Sequence, residues 1–182
     1  MRVLPTTVLP EVLIVEPRVF NDSRGLFFES FNQREFNELT ATDLAFVQDN
    51  HSRSTRSVLR GLHFQIKQPQ GKLIRVISGA IFDVAVDIRR SSPTYKHWVG
   101  VELTAQNYRQ LWIPPGFAHG FVVLGDHAEC LYKSTAYYDP SDQGYIRWDD
   151  PSIAIDWPLS SSPVLSDRDS TAPSLIDCDF PN

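Results

Sequence analysis

The sequence predicts an all-β fold, a barrel or a sandwich of short strands, and three observations support this prediction. Apolar stretches recur at intervals of about ten residues, which is typical of such folds. Thirteen prolines and nine glycines are spread along the 182 residues and indicate many turns. Between Ala80 and Ile88, the side chains alternate with the two-residue period of a strand.

The elements follow from local composition, taken in chain order. The expected strands are Val12–Val15, an extended run Leu26–Phe31 after the turn at Asn21–Gly25, Phe46–Ser52, Val58–Gln65, Leu73–Ser78, Ala80–Ile88, Trp98–Leu103, Arg109–Ile113, Gly120–Leu124 and Glu129–Tyr137. Asn32 to Glu35 resembles a capping box and predicts one short helix that ends at Leu39. The Ser-, Asp- and Pro-rich tail beyond Pro158 predicts loop with one helical turn. No boundary divides the chain, so residues 1–182 are expected to form a single domain.

Composition restricts the class of protein. Hydrophobic residues make up 42% of the chain, which indicates a folded globule. A net charge of −5 argues against a nucleic-acid partner, although a local arginine cluster could still bind an anionic ligand. Cys130 and Cys178 are far apart, so we expect free thiols in a reducing compartment. Pro5 and Pro10 interrupt any signal-peptide core and no apolar run is long enough to span a membrane, so we expect a cytoplasmic protein without a membrane partner.

Two segments, residues 60–79 and 114–120, resemble the two motifs of a cupin β-barrel. They imply a double-stranded β-helix (jelly roll) with one or two short helices. A metal-binding cupin supplies a His-x-His pair and a Glu from its first motif and a His from its second. Here His63 is present, but Gln65 stands where the second His would be and Lys72 lies near the place of the Glu. Because an ammonium group cannot ligate a divalent cation, we expect no metal at this site.

The residues left in this altered motif predict acid–base chemistry. A base (His63), a cation (Lys72) and a second imidazole (His119) suit proton abstraction beside a carbonyl, with the cation stabilising the oxyanion. Tyr132 could act as an acid if its hydroxyl reaches the same cavity. Asp83 and Asp87 alternate on one strand face, and we expect that face to be exposed to solvent.

Anion binding is the second expectation. Arg24, Arg60 and Arg168 could converge on a diphosphate, because each guanidinium offers paired donors. Tyr137 and Tyr138 end a strand and could form a stacking platform. A glycine-rich phosphate loop and a nucleophile elbow are both absent from the sequence.

A set of ordered motifs then resembles one known family, the dTDP-4-dehydrorhamnose 3,5-epimerases. The resemblance runs over residues 3–175 and rests on Asp22–Gly25, Phe28-Glu29, Gln48–Asn50, Leu59–His63, Val84–Arg89, Pro114–Phe121, Tyr137-Tyr138, Asp156–Leu159 and Leu165–Asp169. It implies a metal-free, cofactor-free jelly roll that forms a homodimer. The implied reaction inverts C3 and C5 of dTDP-4-dehydro-6-deoxy-D-glucose on the way to dTDP-L-rhamnose.

The resemblance also implies catalytic roles. His63 resembles the base that removes the proton beside the C4 ketone, and Asp169 resembles the carboxylate that orients it. Tyr132 resembles the acid that returns a proton from the other face. Lys72 resembles the cation beside the developing enolate.

Ligand-binding roles are implied in the same way. The residues that resemble substrate contacts are Arg60 and His119 at the sugar, Arg24, Glu29, Gln48 and Asn50 at the nucleotide, Tyr138 on the thymine ring, and Arg168 at the ligand. Gln143 stands where the family often has an acidic residue, so it keeps hydrogen bonding without charge. Part of the N-terminal segment is implied to reach the partner subunit's site.

Other functions remain open at this point. An enzyme that inverts only C3 or only C5 would keep most of these residues. A related 3,4-ketoisomerase fits Tyr132 and Lys72 less well. A sugar-nucleotide-binding cupin without activity would need Arg24, Arg60 and Tyr138 but not the acid–base set. A metal-dependent cupin is disfavoured by Gln65 and Lys72.

Overall fold

The computed structural model describes residues 1–178, and antiparallel strands make up most of its regular secondary structure. The strands are β1 Arg2–Pro5, β2 Leu13–Glu16, β3 Phe20–Asp22, β4 Gly25–Phe27, β5 Gln48–Thr55, β6 Leu59–Gln65, β7 Lys72–Asp87, β8 Trp98–Thr104, β9 Gln110–Ile113, β10 Phe117–Ser134 and β11 Gln143–Tyr145. The helices are α1 Gln33–Thr40, α2 Asp167–Ser170 and a 3₁₀ turn at Leu175–Asp177. The all-β prediction is confirmed, while the single-domain assignment stays a prediction.

Two long strands organise the fold. Strands β7 and β10, of 16 and 18 residues, pair antiparallel along most of their length. The first half of β7 and the second half of β10 belong to a layer with the order β1-β2-β9-β7-β10-β5. The other halves belong to a layer with the order β8-β7-β10-β6-β11. A continuous ladder that bends from one layer into the other is the jelly roll that the two motifs predict.

The bends explain why the sequence divides each of the two long strands, β7 and β10, into two shorter ones. Gly79 lies inside β7 with φ of 77°, and a Cβ there would lie 2.0 Å from the His127 carbonyl oxygen. The β7–β10 register shifts between Val123 and Ala128, opposite this glycine. Local turn residues therefore mark bulges within β7 and β10 and not strand ends. The two strands predicted at 73–78 and 80–88 belong to the single strand β7. The two predicted at 120–124 and 129–137 belong to the single strand β10.

Three apolar clusters hold the layers together. One fills the interior and includes Ile74, Ile81, Leu103, Leu111 and Phe121. A second lies under the chain that follows β11 and contains Leu62, Phe64 and Trp157. The third lies under α1, where the fully buried Phe36 packs against Trp112 at 5.1 Å between ring centroids. The alternation of β6 is confirmed, because Leu62 and Phe64 face the second cluster and leave His63 on the opposite face.

The N-terminal predictions have mixed outcomes. Helix α1 is confirmed, with the Asn32 side chain accepting hydrogen bonds from the Arg34 and Glu35 backbone N–H groups. The extended run at 26–31 is a strand only as far as Phe27, because β4 forms a short hairpin with β3 and pairs with nothing else in residues 1–178. Across residues 1–178, no helix has the length and apolar character needed to cross a bilayer.

Candidate active site

A cavity of about 350 Å³ lies between the two layers and receives side chains from five strands. Its size is in the range of small-molecule sites. Its lining consists of Gln48, Asn50, Ser52, Arg60, His63, Gln70, Lys72, His119, Phe121, Tyr132, Ser134, Tyr138, Gln143 and Tyr145. Six of the nine residues predicted to contact the ligand therefore line this cavity, together with three of the four predicted catalytic residues, His63, Lys72 and Tyr132.

His63 lies in the middle of a three-strand ladder. On β10 its directly paired residue is His119, and on β11 it is Tyr145. Gly61, with φ of 128°, allows β6 to approach β10 so closely that a Cβ would lie 2.5 Å from the Gly120 Cα. This close approach brings the imidazoles of His63 and His119 to one cavity wall.

The His63 side chain is held by a carboxylate that is 106 residues away in the chain. Its Nε2–H donates to Asp169 Oδ1 at 2.5 Å, while the imidazole itself remains 31% exposed. Asp169 comes from α2, where Ser166 caps the helix and its hydroxyl donates to Asp169 Oδ2 at 2.9 Å. Burial raises the pKa of Asp169, but hydrogen bonds from His63 and Ser166 outweigh burial and hold the pKa below its usual range. An ionised Asp169 fixes Nε2 as the protonated nitrogen and leaves Nδ1 as the basic one.

A second histidine–aspartate pair lies deeper in the cavity. His119 Nε2 contacts Asp83 Oδ1 at 2.6 Å, and Asp83 is fully buried. Burial lowers the pKa of His119, against the opposing effect of Asp83, so this imidazole is neutral at pH 7. The expectation that Asp83 and Asp87 form a solvent-exposed face is wrong. Asp83 and Asp87 are both fully buried, and Asp87 is paired with Arg89 at 2.8 Å.

Lys72 lies close to both pairs. Its Nζ is 3.5 Å from the His63 carbonyl oxygen. Burial lowers the pKa of Lys72 to about 8, and the negative charge of Asp83 limits this decrease. The ammonium is therefore mostly protonated at neutral pH and has few competing partners, which suits it to an oxyanion.

Tyr132 reaches the same cavity from β10, between Asn50 on β5 and Ile74 on β7. Burial raises the pKa of Tyr132, and the nearby Arg60 partly offsets this effect. Burial also raises the pKa of the adjacent Cys130 thiol to about 12, so this cysteine is inert and acts as a core residue. The phenol is protonated at neutral pH and available to donate.

The far end of the cavity is a polar network around Tyr138. Gln48 Oε1 accepts from the Tyr138 backbone N–H at 2.9 Å, and Gln48 Nε2 donates to Asn50 Oδ1 at 2.8 Å. Gln65, at the position of the missing metal ligand, points away from this cavity and binds the backbone of Asp139 through its Nε2 at 2.9 Å. The Tyr138 ring is thus held at the cavity mouth by its own backbone contacts.

The remaining predicted residues differ in placement. Gln143 lines the cavity with its amide nitrogen bonded to the Phe64 carbonyl at 2.9 Å. Arg60 Nε donates to Ser54 Oγ at 3.0 Å inside the cavity, and Arg168 Nη1 donates to the Tyr145 hydroxyl at 3.0 Å. Arg24 and Glu29 are exposed and lie on or beside the β3–β4 hairpin, outside the cavity of their own chain. Within one chain, Arg24 therefore does not converge with Arg60 and Arg168.

Sequence reasoning missed Asp83, which is the partner of His119, and five lining residues: Ser52, Gln70, Phe121, Ser134 and Tyr145. Asp83 belongs to the alternating acidic residues of β7, but this pattern does not indicate whether its side chain is buried. Tyr145 carries no local motif. Within residues 1–178, no group of three or more His, Cys, Asp and Glu side chains is placed to hold a metal ion.

Comparison with known proteins agrees with this geometry. The family model described as dTDP-4-dehydrorhamnose 3,5-epimerase matches residues 6–177. The chain is 57% identical over 174 residues to the dTDP-4-dehydrorhamnose 3,5-epimerase of Pseudomonas aeruginosa, covering 95% of this chain and 96% of the relative. It is 58% identical over 176 residues to that of Salmonella typhimurium, covering 96% of each.

A solved structure gives the same result. The dTDP-6-deoxy-D-glucose-3,5-epimerase of Legionella pneumophila, in complex with dTDP-4-keto-L-rhamnose, superposes with a TM-score of 0.95 at 49% identity. The superposition covers 98% of this chain and 94% of the other. The chain belongs to the dTDP-4-dehydrorhamnose 3,5-epimerase family.

Proposed function

We propose that this protein inverts C3 and C5 of dTDP-4-dehydro-6-deoxy-D-glucose to give dTDP-4-dehydro-L-rhamnose. One observation carries the proposal: a paired imidazole and a protonated phenol project from different strands into one cavity that also contains a buried ammonium. Both inverted carbons neighbour the C4 ketone, so one enolate chemistry, used twice, accounts for both changes.

The base in this mechanism is His63. Its Nδ1 takes the proton from the carbon next to the ketone, and the electron pair of the broken C–H bond forms the enolate. Asp169, bonded to Nε2 at 2.5 Å, stabilises the imidazolium that results. A positioned base of this kind contributes about 10²–10⁴-fold in rate.

The acid is Tyr132. Inversion requires that the new C–H bond form on the face opposite to the one that lost its proton, so a second group must donate. The raised pKa of Tyr132 keeps the phenol protonated until it transfers its proton to the carbanion. Exchange with solvent then returns a proton to Tyr132 and removes one from His63 before the next inversion.

Lys72 acts on the ketone oxygen. Its ammonium stabilises the negative charge of the enolate, and a donor of this kind is worth about 10²–10³-fold in rate. His119 is neutral and its Nε2–H is directed at Asp83, so its Nδ1 can only accept a hydrogen bond, which suits a hydroxyl group of the sugar.

The polar end of the cavity would hold the nucleotide. Gln48 and Asn50 offer amide groups, Tyr138 offers a ring for stacking on the thymine, and Arg60 and Arg168 offer donors to the diphosphate. The Gln143 amide nitrogen is engaged by backbone, so its oxygen is the atom that can accept from the ligand.

Arg24 and Glu29 can serve only a second subunit in this arrangement. The β3–β4 hairpin projects with Phe20, Leu26 and Phe27 exposed by 50%, 48% and 71%. Exposed apolar side chains in such a cluster favour burial against another surface. A homodimer in which this hairpin covers the partner subunit's cavity would bury them and deliver Arg24 to the nucleotide.

An isotope experiment tests the reaction. The purified protein is incubated with dTDP-4-dehydro-6-deoxy-D-glucose in D₂O, and deuterium is located by NMR after reduction of the product with a 4-ketoreductase and NADPH. Deuterium at C3 and C5 with trapped dTDP-L-rhamnose is expected. Label at a single carbon would identify a mono-epimerase, and no label despite tight binding would identify a binding protein.

Tyr132→Phe separates the two proton-transfer steps in the same experiment. The base can still remove a proton and return a deuteron on its own face. We therefore expect label without inversion, whereas inversion at the wild-type rate would contradict the role of Tyr132.

A mixing experiment tests the dimer. Arg24→Ala and His63→Ala proteins, each nearly inactive, are unfolded together and refolded. If Arg24 acts in the partner's cavity, each mixed dimer has one intact site, and about a quarter of the wild-type activity returns. If Arg24 acts within its own chain, no intact site forms and activity stays at the level of the parents.

A further inference from the structure

Tyr145 occupies a special place beside the base. It is the direct cross-strand neighbour of His63, on the side opposite His119. The two rings meet edge to face, with centroids 5.1 Å apart and planes at 82°. Directly paired residues on adjacent antiparallel strands have the closest side-chain contact that a sheet provides.

The phenol end of Tyr145 is fixed by the same helix that fixes His63. Arg168 Nη1 donates to the Tyr145 hydroxyl at 3.0 Å, and the next residue of α2, Asp169, accepts from His63 Nε2. The backbone of Tyr145 is held as well, because Cys178 Sγ donates to its carbonyl at 3.1 Å. Two consecutive residues of α2 therefore constrain the two rings of one cross-strand pair.

This second constraint has a mechanical reason. The bond to Asp169 fixes one atom of the imidazole but leaves the ring free to swing about the line from Cβ to Nε2. The last torsion of a histidine side chain is intrinsically broad, and this imidazole is 31% exposed to the open cavity. A ring placed perpendicular to the imidazole blocks that swing and aims Nδ1.

We propose that Tyr145 is a positioning residue for the base: its ring, anchored by Arg168, fixes the plane of the His63 imidazole so that Nδ1 faces the sugar carbon. The inference rests on the proposed function, because it assumes that His63 is the base. Tyr145 need not touch the substrate to act in this way, and it exchanges no proton.

The test compares Tyr145→Leu, which removes the ring, with Tyr145→Phe, which keeps the ring and removes the bond to Arg168. Misplacing a reacting group by about 1 Å can cost about 10²-fold in rate, so we expect kcat to fall about 10–100-fold in the Leu variant. The Phe variant should recover most of that loss. KM should change little in either variant, because neither removes a nucleotide contact.

A spectroscopic measurement separates positioning from a general effect on the fold. In wild type, the ¹⁵N resonances of the His63 ring should show one tautomer, with the proton on Nε2. Tyr145→Leu should give averaged resonances. Tyr95→Leu is the matched control, since Tyr95 packs outside the cavity and its loss should leave the His63 resonances and kcat unchanged.

The outcomes are distinguishable from failure of the proposed function. Wild-type protein that washes no deuterium into the sugar would reject the function itself. An active wild type with Tyr145→Leu at wild-type kcat and an unchanged His63 tautomer would overturn the positioning role. A loss confined to KM would also overturn it, because Tyr145 would then be a ligand contact. If Tyr145→Leu does not fold, Tyr145→Met, which fills a similar volume without a flat ring, takes its place with the same expected fall in kcat and the same outcomes that would overturn the positioning role.

Discussion

The cavity contains two histidine–aspartate pairs of nearly equal length in very different surroundings. His63 bonds to Asp169 at 2.5 Å, and His119 bonds to Asp83 at 2.6 Å. The imidazole of the first pair is 31% exposed to the cavity, whereas that of the second is 10% exposed. Asp169 also accepts from Ser166, while Asp83 Oδ2 is buried and has no hydrogen-bond partner among residues 1–178.

The difference shows that the surroundings assign the roles, because the pairing alone does not. A base must alternate between two charge states, and partial exposure lets the first pair stabilise an imidazolium. Burial lowers the pKa of His119, so the second pair keeps a neutral ring beside Lys72. The buried charge of Asp83 then serves chiefly to keep the Lys72 ammonium protonated.

The largest expected effect comes from replacing the two histidines in turn. His63→Asn removes the base, and kcat should fall by about 10³-fold or more, within the range for general-base loss. His119→Asn keeps a hydrogen-bonding group, so its kcat should fall by no more than about 10²-fold. Deuterium wash-in measures both. Equal losses, or a larger loss in His119→Asn, would reverse the roles assigned to the pairs.

Replacing Lys72 should separate activity from stability. Lys72→Met removes the enolate's cation, and kcat should fall about 10²–10³-fold. Burial lowers the pKa of Lys72 to about 8 even beside Asp83, so the charged form is less favourable in the folded chain than in the unfolded chain, and its removal should raise the melting temperature. Lys67→Met, at an exposed lysine, is the control that should alter neither quantity. A lower melting temperature for Lys72→Met would show that the ammonium stabilises the fold.

Replacing Asp83 should mainly lower the free energy of unfolding, whereas replacing Asp169 should mainly lower kcat. Asp83→Asn breaks a fully buried charged cluster and should cost about 3–5 kcal/mol of unfolding free energy. Asp169→Asn disrupts a pair whose imidazole is in contact with solvent and should cost only about 1 kcal/mol while sharply lowering kcat. Chemical denaturation followed by fluorescence measures the free energies. Comparable destabilisation by both variants would contradict this distinction.

The smallest expected effect is a shift in pH dependence. Lys72 must be protonated to act, so kcat should decline as the pH rises through about 8. The negative charge of Asp83 raises the pKa of Lys72, and Asp83→Asn should therefore move this decline to lower pH by about one unit. Asp169→Asn should leave it in place. If the decline of kcat occurs at the same pH in Asp83→Asn as in wild type, the deprotonation of another group causes it.

Particular residues show where sequence reasoning succeeds and where it stops. His63, Lys72 and His119 were predicted because they lie in two short motifs, and strand alternation placed His63 on the face opposite Leu62 and Phe64. Tyr132 was considered as an acid before the resemblance gave it that role, whereas Asp169 came from the resemblance alone, since no local pattern links it to a histidine 106 residues away. Their catalytic roles stay predictions that the variants above test.

The residues that were missed share one property: their environment is created by other strands. The alternation of Asp83 and Asp87 is the same whether a strand faces water or a second layer, and only β10 and the loop after β7 decide that these carboxylates are buried. Tyr145 lies on a strand of three residues whose pairing with β6 has no sequence signal. The bends in β7 and β10 were read as strand ends because a glycine favours a bulge and a turn alike.

Helix α2 has four residues, and it brings Asp169 and Arg168 to the cavity from the tail of the chain, far from the barrel strands in sequence. Segments with so few hydrogen bonds open locally at a much lower free energy than a continuous strand ladder. We therefore expect heat or denaturant to detach the tail, and with it the carboxylate that pairs with His63, while amide protons in β7 and β10 remain protected from exchange. Activity would then be lost when the tail undocks, before the barrel melts.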